Sequence, residues 1–292
     1  MTLILDPHNL RKLVSDYNRL ADDADWNRFQ MSLRSDVDPA LLTEGQKQAV
    51  VFVTHIENHT PGYIKDYLSR FPVDGYREVR NAMHNRELFH FIVRWGVEED
   101  RHAEALSLYQ LSAGIAPDAD ILLRELIEEC IKPFSIGFSE PVQVFTYTFL
   151  QEKATQLYYQ YLARMVQEPV LKKLLQTLAK DESRHFVFFS RVLDAYLDTF
   201  GGKIIALIEE VALSYRMPLY NTLKDYRRRA IRMAREAPGY DRKTPVRILA
   251  DHLEKAIPTH RDLEVPIRQA VSRMVSGGVP QEEVRTGGSA ER

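Results

Sequence analysis

Apolar residues recur every three or four positions along most of the chain, which is the spacing of amphipathic helices. No segment shows the sustained alternation of apolar and polar residues that is typical of half-buried strands. Glycine and proline are sparse within the helical segments and cluster at their breaks, as at Pro61-Gly62 and Gly201-Gly202. The pattern therefore predicts an all-α protein.

Four of the predicted helices are long. The first begins at Thr43 and is bent or ended by Pro61, and the second runs from about Asp74 to Leu111. The third covers about residues 143–166 and the fourth about residues 169–199. Shorter helices are predicted near residues 6–20, after Asp118, and near residues 203–215, 221–236 and 246–275.

The last residues, 276–292, are rich in glycine, serine, glutamate and arginine, with almost no apolar content. Such a segment cannot bury enough apolar surface to fold, so we expect a disordered tail after one helical domain of residues 1–275.

Two of the long helices carry the same short motif. Residues 98–102 read Glu-Glu-Asp-Arg-His and residues 181–185 read Asp-Glu-Ser-Arg-His, so each contains Glu-x-x-His. Residues three apart lie on one face of a helix, and each motif therefore places a carboxylate beside an imidazole. Two such helices facing each other supply half of a carboxylate-bridged dimetal site, and one glutamate from each of two further helices supplies the other half.

The two long helices without this motif each offer one glutamate in mid-helix. Glu57 follows the run Val-Phe-Val-Thr-His-Ile, and Glu152 is the only glutamate of the third long helix. A carboxylate among apolar neighbours is costly to bury unless it is paired or bound to a metal. The predicted metal ligands are Glu57, Glu99, His102, Glu152, Glu182 and His185.

This oxygen-rich set favours two iron ions (Fe2+), with Mn2+ as an alternative, over structural zinc or copper. Four neighbouring carboxylates repel one another, so we expect the metal-free site to titrate as a group. The helix order is that of a ferritin-like four-helix bundle, here with additional peripheral helices. One Glu-x-x-His alone favours an ordinary surface pair at helical spacing, and only the repeat favours a metal site. Arg101 and Arg184 recur in both copies, either to hold carboxylates near the site or as ordinary surface arginines.

Composition narrows the class of protein without changing this interpretation. The chain has 292 residues, 45% of them apolar and 27% charged, with a net charge of −2, so nothing points to a nucleic-acid partner. A single cysteine, Cys130, rules out an internal disulfide framework and fits a reducing compartment. We find no apolar run of the roughly 20 residues that a membrane span needs, and no leader before Asp6, so we expect a cytoplasmic protein.

The motifs resemble those of one known family. Residues 98–102 and 181–185 resemble the Glu-Glu-Asn-Arg-His and Asp-Glu-Lys-Arg-His motifs of the soluble acyl-[acyl-carrier-protein] desaturases of plants and their actinobacterial relatives. Residues 151–155 are similar to that family's Gln-Glu-Arg-Ala-Thr, and residues 57–63 to its Glu-Glu-Ala-Leu-Pro-Thr-Tyr. Met217-Pro218 also resembles part of a later Ser-Met-Pro stretch of the family. The motifs occur in the same order as in the family, and the resemblance covers about residues 43–218.

By this resemblance the six predicted ligands hold two iron ions. Thr155 matches a threonine one helical turn beyond the third-helix ligand, on the oxygen-binding side, where a hydroxyl can pass protons. The alternative for Thr155 is a threonine that hydrogen-bonds back along its own helix. Asp181 matches an acid that supports the ligands without binding metal. Trp26 matches a tryptophan on the route of electron entry, unless it serves only in packing.

The same resemblance implies a reaction and its partners. A di-iron desaturase uses O2 and two electrons from a ferredoxin-like donor to introduce a cis double bond into an acyl chain carried on acyl carrier protein. The resemblance also implies a homodimer. Residues such as Phe145, Phe149, Tyr158 and Phe189 would line an acyl slot, or else belong to ordinary core packing.

An acyl carrier protein is acidic and should dock on basic residues. The densest basic patch comprises Lys224, Arg227, Arg228, Arg229, Arg232 and Arg235, and its alternative is a solvated helix face.

Other functions stay open at this point. The same centre could perform hydroxylation or N-oxygenation, or the chain could bind metal without turnover. A radical-forming ribonucleotide reductase subunit would need a tyrosine near the first metal, for which Tyr17, Tyr63 and Tyr158 are candidates. Asn58 and His59 stand where the family motif has glutamate and alanine, which leaves the substrate and the donor surface open.

Overall fold

The computed structural model describes residues 3–31, 36–75 and 78–276. Among these residues the regular secondary structure consists of eleven α-helices and short 3-10 turns, with no strand, which confirms the all-α prediction. No helix in the described ranges is long and apolar enough to cross a membrane. The helices are α1 (Pro7–Asp23), α2 (Glu44–Glu57), α3 (Thr60–Arg70), α4 (Val79–Ser112), α5 (Ala119–Cys130), α6 (Pro141–Met165), α7 (Pro169–Phe200), α8 (Ile205–Ser214), α9 (Tyr226–Arg235), α10 (Thr244–Ala256) and α11 (Glu264–Ser276).

The start of the first bundle helix, α2, follows directly from its sequence. The Thr43 hydroxyl accepts a hydrogen bond from the Gln46 backbone N–H, and the Gln46 side chain accepts one from the Thr43 backbone N–H. This reciprocal pair satisfies two N–H groups that a helix start otherwise leaves without partners.

Proline ends α2 and begins the next helix. The predicted first helix ends at Glu57, and Pro61 lies in the first turn of the separate helix α3. Proline is favoured there because first-turn N–H groups have no partner within the helix. The second long helix begins at Val79, five residues after the predicted Asp74.

The four-helix bundle consists of α2, α4, α6 and α7. Helix α7 packs along α6 and against α4, which in turn packs on α2. The N-terminal helix α1 lies across α4 and α7, and α8, α10 and α11 pack together beside α6. The two motif helices are therefore neighbours, as the dimetal interpretation requires.

Two apolar clusters divide the core along the bundle axis. On α7, buried residues 171–179 belong to one cluster and residues 188–197 to the other. Helix α4 divides in the same way between residues 88–95 and 105–109, and α6 between residues 142–150 and 158–163. A layer of buried charged side chains, which we call the polar belt, lies between the clusters. It consists of Glu57 at the end of α2, Glu98, Glu99, Arg101 and His102 on α4, Glu152 on α6, and Asp181, Glu182 and His185 on α7.

Two further sequence expectations concern packing and the tail. Phe145, Phe149, Tyr158 and Phe189 are at most 2% exposed and pack inside the two clusters, so the core-packing alternative describes them. The predicted tail lies outside the described residues, except for Ser276, which ends α11.

Candidate metal centre

All six predicted ligands meet within the polar belt. Their ligand atoms form two groups, and within each group all atoms lie within 4.8 Å of one another. Glu99 and Glu182 belong to both groups, as carboxylates that bridge two metal ions would. The first group is Glu57, Glu99, His102 and Glu182, and the second is Glu99, Glu152, Glu182 and His185.

Both histidines turn Nδ1 towards the acids. His185 Nδ1 lies 3.0 Å from Glu99 Oε1 and 3.2 Å from Glu152 Oε2. His102 Nδ1 lies 3.5 Å from Glu182 Oε1. Each group therefore offers one imidazole nitrogen and three carboxylates to a position between them.

The opposite nitrogen of each histidine is held by a carboxylate from the facing helix. His102 on α4 donates from Nε2 to Asp181 Oδ2 on α7, at 3.1 Å. His185 on α7 donates from Nε2 to Glu98 Oε2 on α4, at 3.0 Å. Because this geometry places a proton on Nε2, each ring can offer its Nδ1 lone pair to a metal ion once any proton on Nδ1 has been displaced.

Both repeated arginines contact these two carboxylates. Arg184 Nη2 lies 2.5 Å from Glu98 Oε1 and 2.8 Å from Asp181 Oδ1, so one guanidinium joins the two motif helices. Arg101 Nη2 lies 3.4 Å from Asp181 Oδ2, and Arg101 also pairs with Asp25. Because Arg101 is 3% exposed, the surface interpretation does not apply to it.

Aromatic side chains donate further hydrogen bonds to the carboxylates. The Tyr17 hydroxyl donates to Glu98 Oε2 at 2.5 Å, and the Trp26 indole N–H donates to Asp181 Oδ2 at 2.7 Å. Tyr159 on α6 donates to Glu57 Oε1. Trp26 thus has a polar contact in the site, beyond packing.

Burial and mutual repulsion shift the protonation of the cluster. Burial, together with the charge of Glu182, raises the pKa of Glu99 to about 8. The same two causes raise the pKa of Glu152. Burial lowers the pKa of His102 and His185, but their hydrogen bonds to carboxylates outweigh it and raise both pKa values well above the usual range. Without metal, the cluster therefore holds protons that bound cations would displace.

The two carboxylates that hold the histidines behave in the opposite way. Burial raises the pKa of Glu98, but hydrogen bonds from His185 and Tyr17 and the charge of Arg184 outweigh it and hold this pKa at about 2. Asp181, which contacts the other histidine, likewise has a pKa well below its usual value. Both side chains therefore stay ionised at neutral pH.

Several buried ligand atoms lack the hydrogen bonds that buried polar atoms normally make. Within the described part of the chain, no hydrogen-bond partner is present for His102 Nδ1, Glu152 Oε1 or Glu182 Oε1. Buried polar atoms without partners are costly, and metal coordination would remove that cost. The donor set, four carboxylates and two imidazoles, suits iron or manganese.

Thr155 lies on α6 three residues after Glu152 and is half-buried. Its hydroxyl makes no hydrogen bond to any other residue in the described ranges, whereas Thr146 and Thr148 on the same helix bond back to carbonyls four residues earlier. The back-bonding alternative therefore does not describe Thr155.

The remaining sequence candidates lie outside the two ligand groups. Tyr63 is buried, with no hydrogen-bond partner for its hydroxyl among the described residues. Tyr158 donates to the Met233 carbonyl, away from the cluster. Asn58 caps the end of α2, and His59 is buried at the start of α3.

The sequence motifs predict no separate role for Glu98, and Tyr17 is a sequence candidate only for a radical site. Glu98 carried a usable signal, because it precedes Glu99 as Asp181 precedes Glu182. Tyr17 carried none, since its partner lies 81 residues away in sequence.

Comparisons with known proteins agree with the sequence motifs. A family model described as fatty acid desaturase matches residues 47–255. A candidate acyl-[acyl-carrier-protein] desaturase of Mycobacterium tuberculosis, DesA2, is 30% identical over 138 residues, which are 44% of this chain and 50% of DesA2. The chloroplastic stearoyl-[acyl-carrier-protein] 9-desaturase 6 of Arabidopsis thaliana is 29% identical over 135 residues, 43% of this chain and 33% of the plant protein. The chain thus matches half or less of the length of these relatives.

The fold also has a counterpart of known structure. The X-ray structure of DesA2 from M. tuberculosis H37Rv superposes with a TM-score of 0.59 and 18% identity. The superposition covers 90% of this chain and 98% of DesA2, so the similarity of fold extends over most of this chain.

Proposed function

The chain belongs to the fatty acid desaturase family, and from this membership we propose that it is an O2-dependent di-iron desaturase. Its substrate in this proposal is an acyl chain carried on acyl carrier protein, into which it introduces a cis double bond. A ferredoxin-like protein supplies two electrons, and the enzyme is a homodimer.

One observation carries the proposal: two buried ligand groups share Glu99 and Glu182. Four carboxylates balance the charge of two divalent ions, and the flanking apolar clusters keep water away from the centre. Bound iron would supply the oxidising power, drawn from O2, that an unactivated C–H bond requires.

The surrounding residues take supporting roles in this proposal. Asp181 and Glu98 orient the two imidazoles and remain ionised, which favours the Nδ1 lone pair of each ring. Trp26, bonded to Asp181, lies on the side from which electrons enter. Thr155 provides a free hydroxyl one turn beyond Glu152, where it can donate a proton during O2 reduction.

Carrier-protein docking is assigned to the exposed face of α9. Arg228, Arg232 and Arg235 are exposed there, although Arg228 also pairs with Asp225 at 2.8 Å. Lys224 is exposed too, but it precedes α9 and so does not continue that helix face. Arg229 is unavailable, because its guanidinium is half-buried over the Phe52 ring.

The test combines metal analysis with product analysis. Wild-type protein and Glu182→Ala are loaded with iron and supplied with acyl carrier protein substrates, ferredoxin, a reductase and O2. Two metal ions per chain, loss of metal in the variant and an unsaturated acyl product would support the proposal.

Other products separate the competing functions. A hydroxylated or N-oxygenated product would assign the centre to another oxidation, and bound metal without any product would assign a metal-binding role. Absence of metal after loading with iron under reducing conditions would contradict the whole interpretation.

A further inference from the structure

The candidate centre is surrounded by two hydrogen-bonded chains of the same design. In one, the Trp26 indole contacts Asp181, which contacts His102. In the other, the Tyr17 hydroxyl contacts Glu98, which contacts His185. Each chain ends on a different histidine and therefore on a different candidate metal position.

We propose that Tyr17 is a positioning residue that sets the orientation of His185 through Glu98, and so controls one of the two metal positions separately from the other. The inference rests on the proposed dimetal centre.

The contacts of Glu98 leave its carboxylate a single orientation. Oε1 is held by Arg184, and Oε2 accepts from both His185 and Tyr17. Glu98 is 0% exposed and Tyr17 3% exposed, so water cannot replace the hydroxyl at no cost. A short hydrogen bond to a buried carboxylate is among the stronger ones in proteins.

The two chains hold their carboxylates differently. Asp181 accepts from an indole and also contacts Arg101, whose guanidinium lies 4.6 Å from the centroid of the Trp26 ring. Glu98 accepts from a phenol at 2.5 Å. The two candidate metal positions each have three carboxylates and one imidazole. The different donors to Asp181 and Glu98 therefore make the two positions inequivalent.

Both aromatic donors come from the N-terminal segment, which lies before the family match at residues 47–255. Tyr17 is on α1, and Trp26 follows the end of that helix. The segment that donates to the two supporting carboxylates therefore lies outside the part of the chain that provides the ligands.

Anaerobic titration with Co2+ tests the inference, because the visible absorption of Co2+ reports on the geometry of each bound ion. Glu57→Gln and Glu152→Gln first assign the absorption bands, since each removes a ligand of one group only. The full-length chain then carries Tyr17→Phe or Trp26→Phe. We expect Tyr17→Phe to shift the absorption band assigned to the His185 position and to lower the affinity for Co2+ at that position by about tenfold. The band and the affinity of the other position should not change. Trp26→Phe should show the reverse selectivity.

Tyr196→Phe is the matched control. Its hydroxyl is also buried and donates to the N-terminal segment, at the Leu3 carbonyl, 3.1 Å away. Tyr196 follows His185 by eleven residues on α7, about 16 Å along the helix axis. The Tyr196→Phe variant should lose a similar hydrogen bond, but both Co2+ absorption bands should stay unchanged.

Three results would overturn the inference. Tyr17→Phe could match Tyr196→Phe in both bands and affinities, or it could change the band that Glu57→Gln removes, or it could change both bands equally. Glu98→Gln gives a second measurement if Tyr17→Phe does not fold, because it keeps the phenol but removes its charged acceptor, and it should shift the same band. Wild-type protein that binds no Co2+ would instead contradict the proposed dimetal centre itself.

Discussion

Glu99 on α4 and Glu182 on α7 face each other within the polar belt, and both candidate ligand groups share them. Glu57 belongs to one group only. We therefore expect Glu99→Gln to remove both iron ions, while Glu57→Gln retains about one per chain. Elemental analysis of protein loaded with Fe2+ under anaerobic conditions measures the difference, and equal metal content in the two variants would contradict the sharing of Glu99.

The stability of the metal-free protein should fall as the pH rises from 6 to 9. Folded Glu99 has a pKa of about 8, raised by burial and by Glu182, whereas the usual value is 4.5. The folded state therefore holds a proton that the unfolded state has released, and this contribution is lost as the pH rises through about 8. His102 and His185 have raised pKa values and act in the same direction. Glu98, with a pKa of about 2, does not titrate in this window.

Each proton that the folded state binds in excess of the unfolded state lowers the free energy of unfolding by at most about 1.4 kcal/mol per pH unit of increase. For a protein of this size that corresponds to roughly 2–4 °C in Tm. Calorimetry of metal-free and metal-loaded protein across the pH range provides the measurement. The gap between the two Tm values should widen with pH, since bound metal displaces the protons, and parallel curves would refute the coupling.

The Thr155 hydroxyl should matter for turnover and not for metal binding. Removing it in Thr155→Val is expected to lower kcat by about 10- to 100-fold with two iron ions retained, while Thr155→Ser keeps most of the activity. Thr146→Val is the control, because Thr146 bonds back to Val142 within α6 and lies in the core. Unchanged kcat in Thr155→Val would remove Thr155 from the proposed proton path.

Charge reversal on α9 should weaken carrier-protein docking. Arg232→Glu with Arg235→Glu is expected to raise KM for the acylated carrier by about tenfold at low salt, and by less as salt screens the interaction. Lys12→Glu with Lys255→Glu makes the same change of charge at exposed residues on α1 and α10. If both pairs changed KM equally, the effect would be one of net charge and the docking surface would lie elsewhere.

The sequence predicted that the six candidate ligands come together, because their signal is local. Glu-x-x-His fixes two side chains on one helix face regardless of the surrounding fold, and Glu152 had no competing glutamate on its helix. The sequence does not locate an acyl slot, because an aromatic residue in a core and one lining a groove have the same helical spacing. Phe149 belongs to the core, and only the packing of its neighbours decides that.

Contacts between residues far apart in the sequence could not be predicted either, because they depend on how the helices pack. The bond between Tyr17 and Glu98 depends on α1 crossing α4 and α7, which no short pattern encodes. The separate helix α3 was missed because a proline that ends one helix can equally begin the next.

The polar belt separates two apolar clusters, and each cluster coheres by its own burial of apolar surface. In the metal-free protein, the polar belt between the clusters contains carboxylates that repel one another, so we expect local opening of the bundle to be easiest there. Metal ions bound there would link α2, α4, α6 and α7 through their shared ligands. Hydrogen exchange at the middle of α4, α6 and α7 would then report the metal content of a sample as directly as its colour.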